Sequence, residues 1–225
     1  MKLILTFIVG ILVGFLALFI WAWFVTKPKI RELGGEALLT RLPFDGEWYV
    51  LSGGEKAKQN NHHGIGAQNF AIDFVICQDG SQSKRTDGKT NEDFYCWDQT
   101  ICAAHDGTVV ISVDGIPDNI PGEMNPQMVY GNVIMIQDSS GFVSVYAHLK
   151  NGTVSKRAGE MIKSGEKLGS CGNSGNSSEP HLHFHLQSKV GFEKGLSIRP
   201  LFAAIKVNKT TTKSHSPVRA ERVSP

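Results

Sequence analysis

The stretch of sequence that decides the fold is GSCGNSGNSSEPHLHFHL, from Gly169 to Leu186. Its first part is a turn of Gly, Ser and Asn, and its last part alternates histidines with apolar residues. Side chains two apart on a β-strand point to the same face, so His181, His183 and His185 share one face of a predicted strand. Such a strand can direct two imidazoles at one metal ion, or place one metal ligand beside an acid/base group.

Further segments upstream have the composition of β-strands and are separated by Gly-rich turns. No convincing helical period occurs between them, so we expect an all-β, mainly antiparallel domain. A surface loop is expected over residues 78–100, and a Pro/Gly/Asn-rich insertion lies between Asp114 and Met128. The predicted strands are Trp48–Ser52, Asn69–Ile76, Gly107–Val113, Asn132–Gln137, Phe142–His148 and His181–Gln187.

Asp73 is the single acidic residue in the apolar run NFAIDFVI, Asn69–Ile76. A carboxylate on a buried strand needs a hydrogen-bonding partner or a metal ion. His62 and His63 lie shortly upstream, and His148 ends another predicted strand. These residues can converge with the histidine strand, which strengthens the prediction of a metal site.

Five motifs resemble, in order from about residue 45 to residue 190, those of the lysostaphin/LytM-like zinc endopeptidases. The resemblance implies a β-sheet domain with a substrate groove, a Zn²⁺ cofactor on the floor of the groove, and peptide bonds of peptidoglycan as substrate. The motifs are NHHGIGAQNFAIDF (Asn61–Phe74), AAHDGTVV (Ala103–Val110), YAHL (Tyr146–Leu149), KSGEKLG (Lys163–Gly169) and the closing motif quoted above.

The resemblance assigns His63, Asp73 and His183 as zinc ligands. It assigns His148 and His181 as catalytic histidines that do not bind the metal. Three ligands of this type leave a tetrahedral zinc one open position for water, whose pKa the metal lowers. One histidine can then take the proton from the water, and the other can stabilise the oxyanion or protonate the leaving amine.

The first motif departs from the family pattern, which spaces its His and Asp by three residues. Nine residues separate His63 from Asp73, so His62 stays open as a rival ligand. His185 extends the histidine alternation beyond the usual pair. We interpret it as a strand residue that points along the groove, and we leave a catalytic role open.

The N-terminus predicts a single transmembrane helix. Residues 3–25 are almost entirely apolar, and at about 1.5 Å per residue such a helix spans the bilayer core of roughly 30 Å. Trp21 and Trp23 suit the membrane interface, and no A-x-A-like cleavage site follows. The basic residues Lys27, Lys29 and Arg31 favour a cytoplasmic domain, but the cysteines and the predicted chemistry favour an extracytoplasmic one, which we expect.

The chain therefore divides into four predicted segments. Residues 1–26 form the membrane anchor, 27–44 a juxtamembrane linker and 45–205 the peptidase-like domain, whereas the polar, basic residues 206–225 are expected to be a disordered tail. Whether Gly10 and Gly14 pack two anchors together stays open, as does the oligomeric state.

The four cysteines also bear on location. Their number is even and no C-x-x-C occurs, so disulfides are favoured over a zinc knuckle. Cys77 and Cys96 flank the polar loop, and the family-like fold brings Cys102 towards Cys171. We expect the pairs Cys77–Cys96 and Cys102–Cys171. Four free thiols, the alternative, would suit a cytoplasmic domain.

Three functions are compatible with these features. The leading one is a zinc-dependent endopeptidase acting on peptidoglycan stem peptides or cross-bridges. The second is a non-catalytic module that binds peptidoglycan or regulates another wall hydrolase, which the full set of candidate ligands argues against. The third is a peptidase of envelope proteins. With a net charge of +2 and 20% charged residues, the composition argues against a nucleic-acid partner.

Overall fold

The structure of the protein, a computed structural model, describes residues 39–84 and 87–225. The membrane anchor predicted over residues 1–26 lies outside these residues. Within the described ranges, no helix has the length and apolar character required to cross a membrane.

The regular elements of the described residues are sixteen strands and two short 3₁₀ helices, which confirms the predicted all-β class. The 3₁₀ helices span Gly66–Gln68 and Asn91–Asp93. The strands are β1 (Leu39–Thr40), β2 (Trp48–Ser52), β3 (Ile72–Val75), β4 (Thr100–Cys102), β5 (Gly107–Val113), β6 (Asn132–Gln137), β7 (Val143–Leu149), β8 (Met161–Ile162), β9 (Lys167–Ser170), β10 (Leu182–Gln187), β11 (Ser197–Ile198), β12 (Leu201–Ala203), β13 (Lys206–Val207), β14 (Thr210–Thr211), β15 (Ser214–His215) and β16 (Arg222–Ser224).

The main sheet is antiparallel and places the histidine strand between two partners. Its order is β14-β13-β16-β2-β3-β10-β7-β6-β5-β8, with β11 on the other half of β10. Strand β10 pairs with β3 on one side and with β7 on the other. Both partners carry predicted site residues, so the topology brings three distant parts of the sequence together at the centre of the sheet.

The two faces of β10 have different surroundings because its side chains alternate. Leu182, Phe184 and Leu186 belong to the large core under the sheet. His183 and His185 point to the opposite face. A smaller apolar cluster, formed mainly by β6 and β7, lies on this second face and contains Tyr130, Val133, Met135, Val143, Val145 and Ala147.

The sequence predicts that residues 27–44 are a linker, but the C-terminal end of this segment belongs to the hydrophobic core. Leu42 and Phe44 are 1% and 0% exposed. The ring of Phe44 stacks on Trp48 at 4.5 Å between centroids and meets Phe74 edge-on at 4.9 Å. These apolar side chains extend the core, so the folded domain begins before residue 45.

The prediction that residues 206–225 form a disordered tail is wrong, because the structure has four strands in this range. Strand β16 pairs antiparallel with β2, and β13 pairs with β16. Val223 is fully buried in the core, and Arg222 Nη1 donates to Glu47 Oε1 and to the Cys77 carbonyl, both at 3.0 Å. Pairing with the open edge of β2 gives hydrogen-bond partners to the backbone N–H and C=O groups of β16, although the segment is polar in composition.

The two predicted disulfides are absent from the described residues, where all four cysteines are free thiols. Cys96 is fully buried and its Sγ donates to the carbonyl of Pro180 at 3.0 Å. Burial, together with a hydrogen bond that the Cys171 thiol donates to the Cys96 side chain, raises the pKa of Cys171 well above its ordinary value. The neighbour of Cys171 is therefore Cys96 rather than Cys102.

Candidate metal centre

Asp73 and His183 meet because they are directly opposite each other on β3 and β10. Side chains at opposite positions of an antiparallel pair project to the same face, which brings Asp73 Oδ1 within 3.0 Å of His183 Nδ1. Both residues are nearly inaccessible to solvent. The sheet register thus places a carboxylate and an imidazole, 110 residues apart in sequence, at one point.

The structure brings His62, rather than His63, to this carboxylate. His62 Nε2 lies 2.9 Å and 3.0 Å from the two carboxylate oxygens of Asp73, whereas His63 is exposed and outside the group. The assignment of His63 as a ligand is corrected accordingly. Which of two adjacent histidines faces Asp73 depends on how the loop turns before it reaches β3.

Asn60 fixes that loop. The buried Nδ2 of Asn60 donates to the carbonyls of Gly54, Asn69 and Ala71, at 2.9, 3.1 and 3.2 Å. Its Oδ1 accepts from the backbone N–H of His62 at 2.8 Å. This single side chain ties both ends of the loop together and orients His62 towards the strand.

His62, Asp73 and His183 each offer one ligand atom, and the three atoms lie within 4.8 Å of one another. Two imidazole nitrogens and one carboxylate oxygen form a donor set that zinc accepts, with one position left open. The residues present therefore fit the metal that the sequence motifs imply.

His148 reaches the same face through a β-bulge. Between β6 and β7 the register shifts, so that Asn132 pairs with Leu149 while Ile134 pairs with Tyr146. One extra residue is accommodated on β7, and His148 takes a left-handed backbone conformation with φ of 61°. The bulge turns the His148 ring towards the site, 4.8 Å from the His181 ring and 5.7 Å from the His183 ring, between centroids.

His181 lies just before β10 and is half-buried. Its Nδ1 is 2.9 Å from the carbonyl oxygen of Glu179 and 3.1 Å from Ser177 Oγ. Its Nε2 is 3.8 Å from Asp73 Oδ1 and faces the metal group. Four of the five predicted site residues therefore lie together, namely Asp73, His148, His181 and His183. His62 takes the place predicted for His63.

The charges of the site are coupled. Burial tends to raise the pKa of Asp73, but the charge of His62 and a hydrogen bond from His62 lower it well below its ordinary value. Burial tends to lower the pKa of His62, but the charge of Asp73 prevails and raises it. In the absence of metal, Asp73 thus favours the charged form of His62, and His62 favours the ionised carboxylate of Asp73.

For the three other histidines His148, His183 and His185, burial disfavours the charged form of the ring. Burial is the largest cause that lowers the pKa of His148, His183 and His185, and charges on neighbouring histidines lower each further. For His148 and His185 the pKa falls well below its ordinary value. A neutral imidazole is the form that ligates a metal or accepts a proton.

His62, His148 and His183 line a cavity of about 330 Å³. Three further residues at its wall were not found from the sequence. Tyr130 donates its hydroxyl to Glu193 Oε1 at 2.9 Å, and Gln68 Nε2 donates to the same oxygen at 2.5 Å. Tyr130 and Glu193 lie outside the motifs, and Gln68 lies within the first motif at a position to which the motif assigns no role. The three side chains meet only in the folded chain.

Residues 92–200 match the model of Peptidase family M23. This range includes His148, His181 and His183, whereas His62 and Asp73 lie before it. The family match therefore covers only part of the site, and the folded structure brings His62 and Asp73 to it.

Two relatives and one solved structure illustrate the similarity. Peptidoglycan DD-endopeptidase ShyC of Vibrio cholerae is 30% identical over 86 residues, 36% of this chain and 19% of ShyC. Murein hydrolase activator NlpD of Escherichia coli is 33% identical over 103 residues, 46% of this chain and 22% of NlpD. A crystal structure of a zinc-containing peptidase from Vibrio cholerae is 18% identical, with a TM-score of 0.45 over 72% of this chain and 39% of that one.

The matched region spans less than a quarter of either curated relative. The range of the family match, residues 92–200, contains the central and the closing histidine motifs. The chain therefore contains a peptidase family M23 domain, which confirms the resemblance of its motifs to the lysostaphin/LytM-like endopeptidases.

Proposed function

We propose that the protein is a zinc-dependent endopeptidase that hydrolyses peptide bonds in peptidoglycan stem peptides or cross-bridges. The observation that carries this proposal is the convergence of ligand atoms from His62, Asp73 and His183 within 4.8 Å of one another, with His148 and His181 beside them. The M23 domain, and a relative named as a peptidoglycan DD-endopeptidase, support the reaction and the substrate class.

Under this proposal His62, Asp73 and His183 hold the metal. Bound zinc would polarise a scissile carbonyl and lower the pKa of a bound water. His148 is buried and neutral, and its Nε2 is not used by the hydrogen bond to Ser174. It can therefore accept a proton. His181, at the rim of the site, can donate a proton to the leaving amine or hold the oxyanion.

The test measures metal and activity in parallel. The purified full-length chain is expected to contain about one zinc per molecule, and to release soluble fragments from purified sacculi. Asp73→Ala should lose both zinc and activity, while Asp138→Ala, on the exposed hairpin between β6 and β7, should keep both. A parent chain that binds no zinc after reconstitution would contradict the proposal.

A second function is favoured by the relative named as a murein hydrolase activator. In this alternative the cavity binds wall peptides or another hydrolase without cutting. The two functions are separated by adding the Asp73→Ala variant to a separate wall hydrolase. Stimulation that survives loss of the metal ligand would favour the activator, whereas loss of both effects favours the endopeptidase.

We further propose that residues 1–26 anchor the chain in the membrane and that the domain lies on the extracytoplasmic side. The apolar sequence of this segment and the location of peptidoglycan support this placement. Protease added to intact spheroplasts should digest the domain. Digestion only after the membrane is broken would place it in the cytoplasm.

A further inference from the structure

His185 is not one of the candidate ligands, yet it is fully buried on the face of β10 that carries His183. Its Nδ1 lies 2.9 Å from His183 Nε2, and its Nε2 lies 3.0 Å from Gln187 Oε1. The three side chains occupy alternate positions of the strand, so they form a continuous hydrogen-bonded row that ends at the metal group.

The far end of this row has a fixed direction. Gln187 Nε2 donates to the carbonyl oxygens of Lys189 and Gly191, at 2.6 and 2.7 Å. Carbonyl oxygens only accept hydrogen bonds, so the amide nitrogen must face them and Oε1 must face His185. Because Oε1 is also only an acceptor, the proton between Gln187 and His185 belongs to His185 Nε2.

The orientation of the Gln187 amide also fixes which nitrogens of His185 and His183 donate hydrogen bonds and which accept them. His185 has no carboxylate among its hydrogen-bond partners, and a fully buried ring without a counter-ion is neutral. With Nε2 protonated, its Nδ1 is an acceptor, and it takes the hydrogen bond from His183 Nε2–H. The proton of a neutral His183 is then on Nε2, which leaves Nδ1 with a free lone pair.

That lone pair faces Asp73. His183 Nδ1 is 3.0 Å from Asp73 Oδ1, and an ionised carboxylate is also only an acceptor. Two acceptors at this distance repel each other unless a cation lies between them. The row therefore prepares the His183 position for a cation rather than for a hydrogen bond to Asp73.

We infer that His185 and Gln187 are positioning residues that fix the tautomer of His183, so that Nδ1 is its metal-ligating atom. The inference rests on the proposed metal site for its purpose, but the direction of the row is a property of the metal-free chain. Outer residues that orient a ligating histidine typically contribute 10- to 100-fold to metal affinity.

The first test is ¹⁵N NMR of the full-length chain after removal of metal by chelation, with His183 identified by substitution. We expect the Nε2–H tautomer of His183 in the parent chain, and loss of this preference in His185→Phe, which keeps a ring but removes both nitrogens. An Nδ1–H tautomer in the parent chain would overturn the inference.

The second test is zinc titration. His185→Phe is expected to bind zinc roughly 10- to 100-fold more weakly. His185→Asn should recover part of the loss, because its amide oxygen can accept from His183 Nε2–H. His105→Phe is the matched control, since His105 is also buried but hydrogen-bonds Ser144 at 2.8 Å, away from the site.

Unchanged zinc affinity in folded His185→Phe would overturn the inference. So would an equal loss of zinc affinity in His105→Phe, which would point to general destabilisation. If the parent chain has the expected tautomer but binds no zinc, the proposed function fails while the direction of the row stands, so the two failures are distinguishable.

Discussion

His148 Nδ1 lies 2.8 Å from the carbonyl oxygen of Ser174, in the turn that precedes the histidine strand. A carbonyl only accepts, so this nitrogen carries the proton of the neutral ring and Nε2 keeps a lone pair. His181 Nδ1 likewise lies within hydrogen-bond distance of a backbone carbonyl, 2.9 Å from the oxygen of Glu179. His148 and His181 are thus each held through Nδ1 by a backbone carbonyl, which leaves Nε2 free of that contact.

This arrangement predicts a separation of metal binding from turnover. His148→Ala and His181→Ala should each reduce hydrolysis of sacculi by about 10²- to 10⁴-fold, the range of a lost acid/base group. Zinc content should stay near that of the parent chain, because neither residue belongs to the metal group. Zinc analysis and fragment release on the same samples provide the check.

Loss of zinc in His181→Ala would contradict this separation of roles. His215→Ala is a suitable control, since His215 lies on β15, in a separate three-stranded sheet of β1, β12 and β15, and hydrogen-bonds Glu221, so its loss should affect neither measurement.

The pKa values predict how the stability of the metal-free chain depends on pH. Burial holds the pKa of His148, His183 and His185 below the ordinary value, so between pH 7 and 5 the unfolded chain gains protons that the folded chain does not. The free energy of unfolding should therefore fall with decreasing pH, by up to about 1.4 kcal/mol per pH unit for each such histidine.

His62 opposes this trend. The pKa of His62 is raised in the folded state. Its contribution to the free energy of unfolding is therefore fully present below the pKa of the unfolded state, and it is lost as pH rises through the pKa of the folded state. Asp73, whose pKa is lowered, contributes above its unfolded pKa and loses its effect only at much lower pH. Three lowered histidines outweigh one raised histidine. Urea unfolding at pH 7 and 5.5 tests this, and greater stability at pH 5.5 would contradict it.

The close packing of Gly131 against Ser174 leads us to expect that a side chain at position 131 would disturb both the stability of the domain and the orientation of His148. Its φ is +57°, and a Cβ there would lie 2.4 Å from the carbonyl oxygen of Ser174, the atom that orients His148. Gly131→Ala should destabilise the domain by roughly 1–3 kcal/mol and also reduce turnover. Gly141→Ala is the control, because its φ of +95° is similarly left-handed but no atom lies within 4 Å.

Chemical denaturation and activity assays on both variants separate the two effects. If Gly131→Ala loses no more activity than Gly141→Ala at equal folded fraction, the Ser174 carbonyl does not position His148.

The C-terminal strands predict that the last residues stabilise the domain. Val223→Asp puts a carboxylate into a fully buried position and should lower the free energy of unfolding by about 2–4 kcal/mol. Thr211→Asp, on the exposed strand β14, should change it by less than about 0.5 kcal/mol. Equal stability of the two variants would show that residues 206–225 do not pack on β2.

Much of the strand content follows from the sequence. The predicted bounds of β2, β5 and β6 agree with the structure, because each segment is an apolar or alternating run between Gly-rich turns. The shared face of His183 and His185 also follows from the period of a strand. For residues 206–225 the same reasoning fails, since their pairing depends on an open edge of β2 that lies far away in sequence.

The site shows the same division. The sequence by itself determined which residue types are present and that the histidines of β10 alternate, because both are local properties. Only the tertiary structure decided that His62 rather than His63 meets Asp73, that a bulge turns His148 inward, and that Gln187 directs the row to His183. These depend on loop turns, sheet register and hydrogen-bond direction between distant segments, which local sequence patterns do not specify.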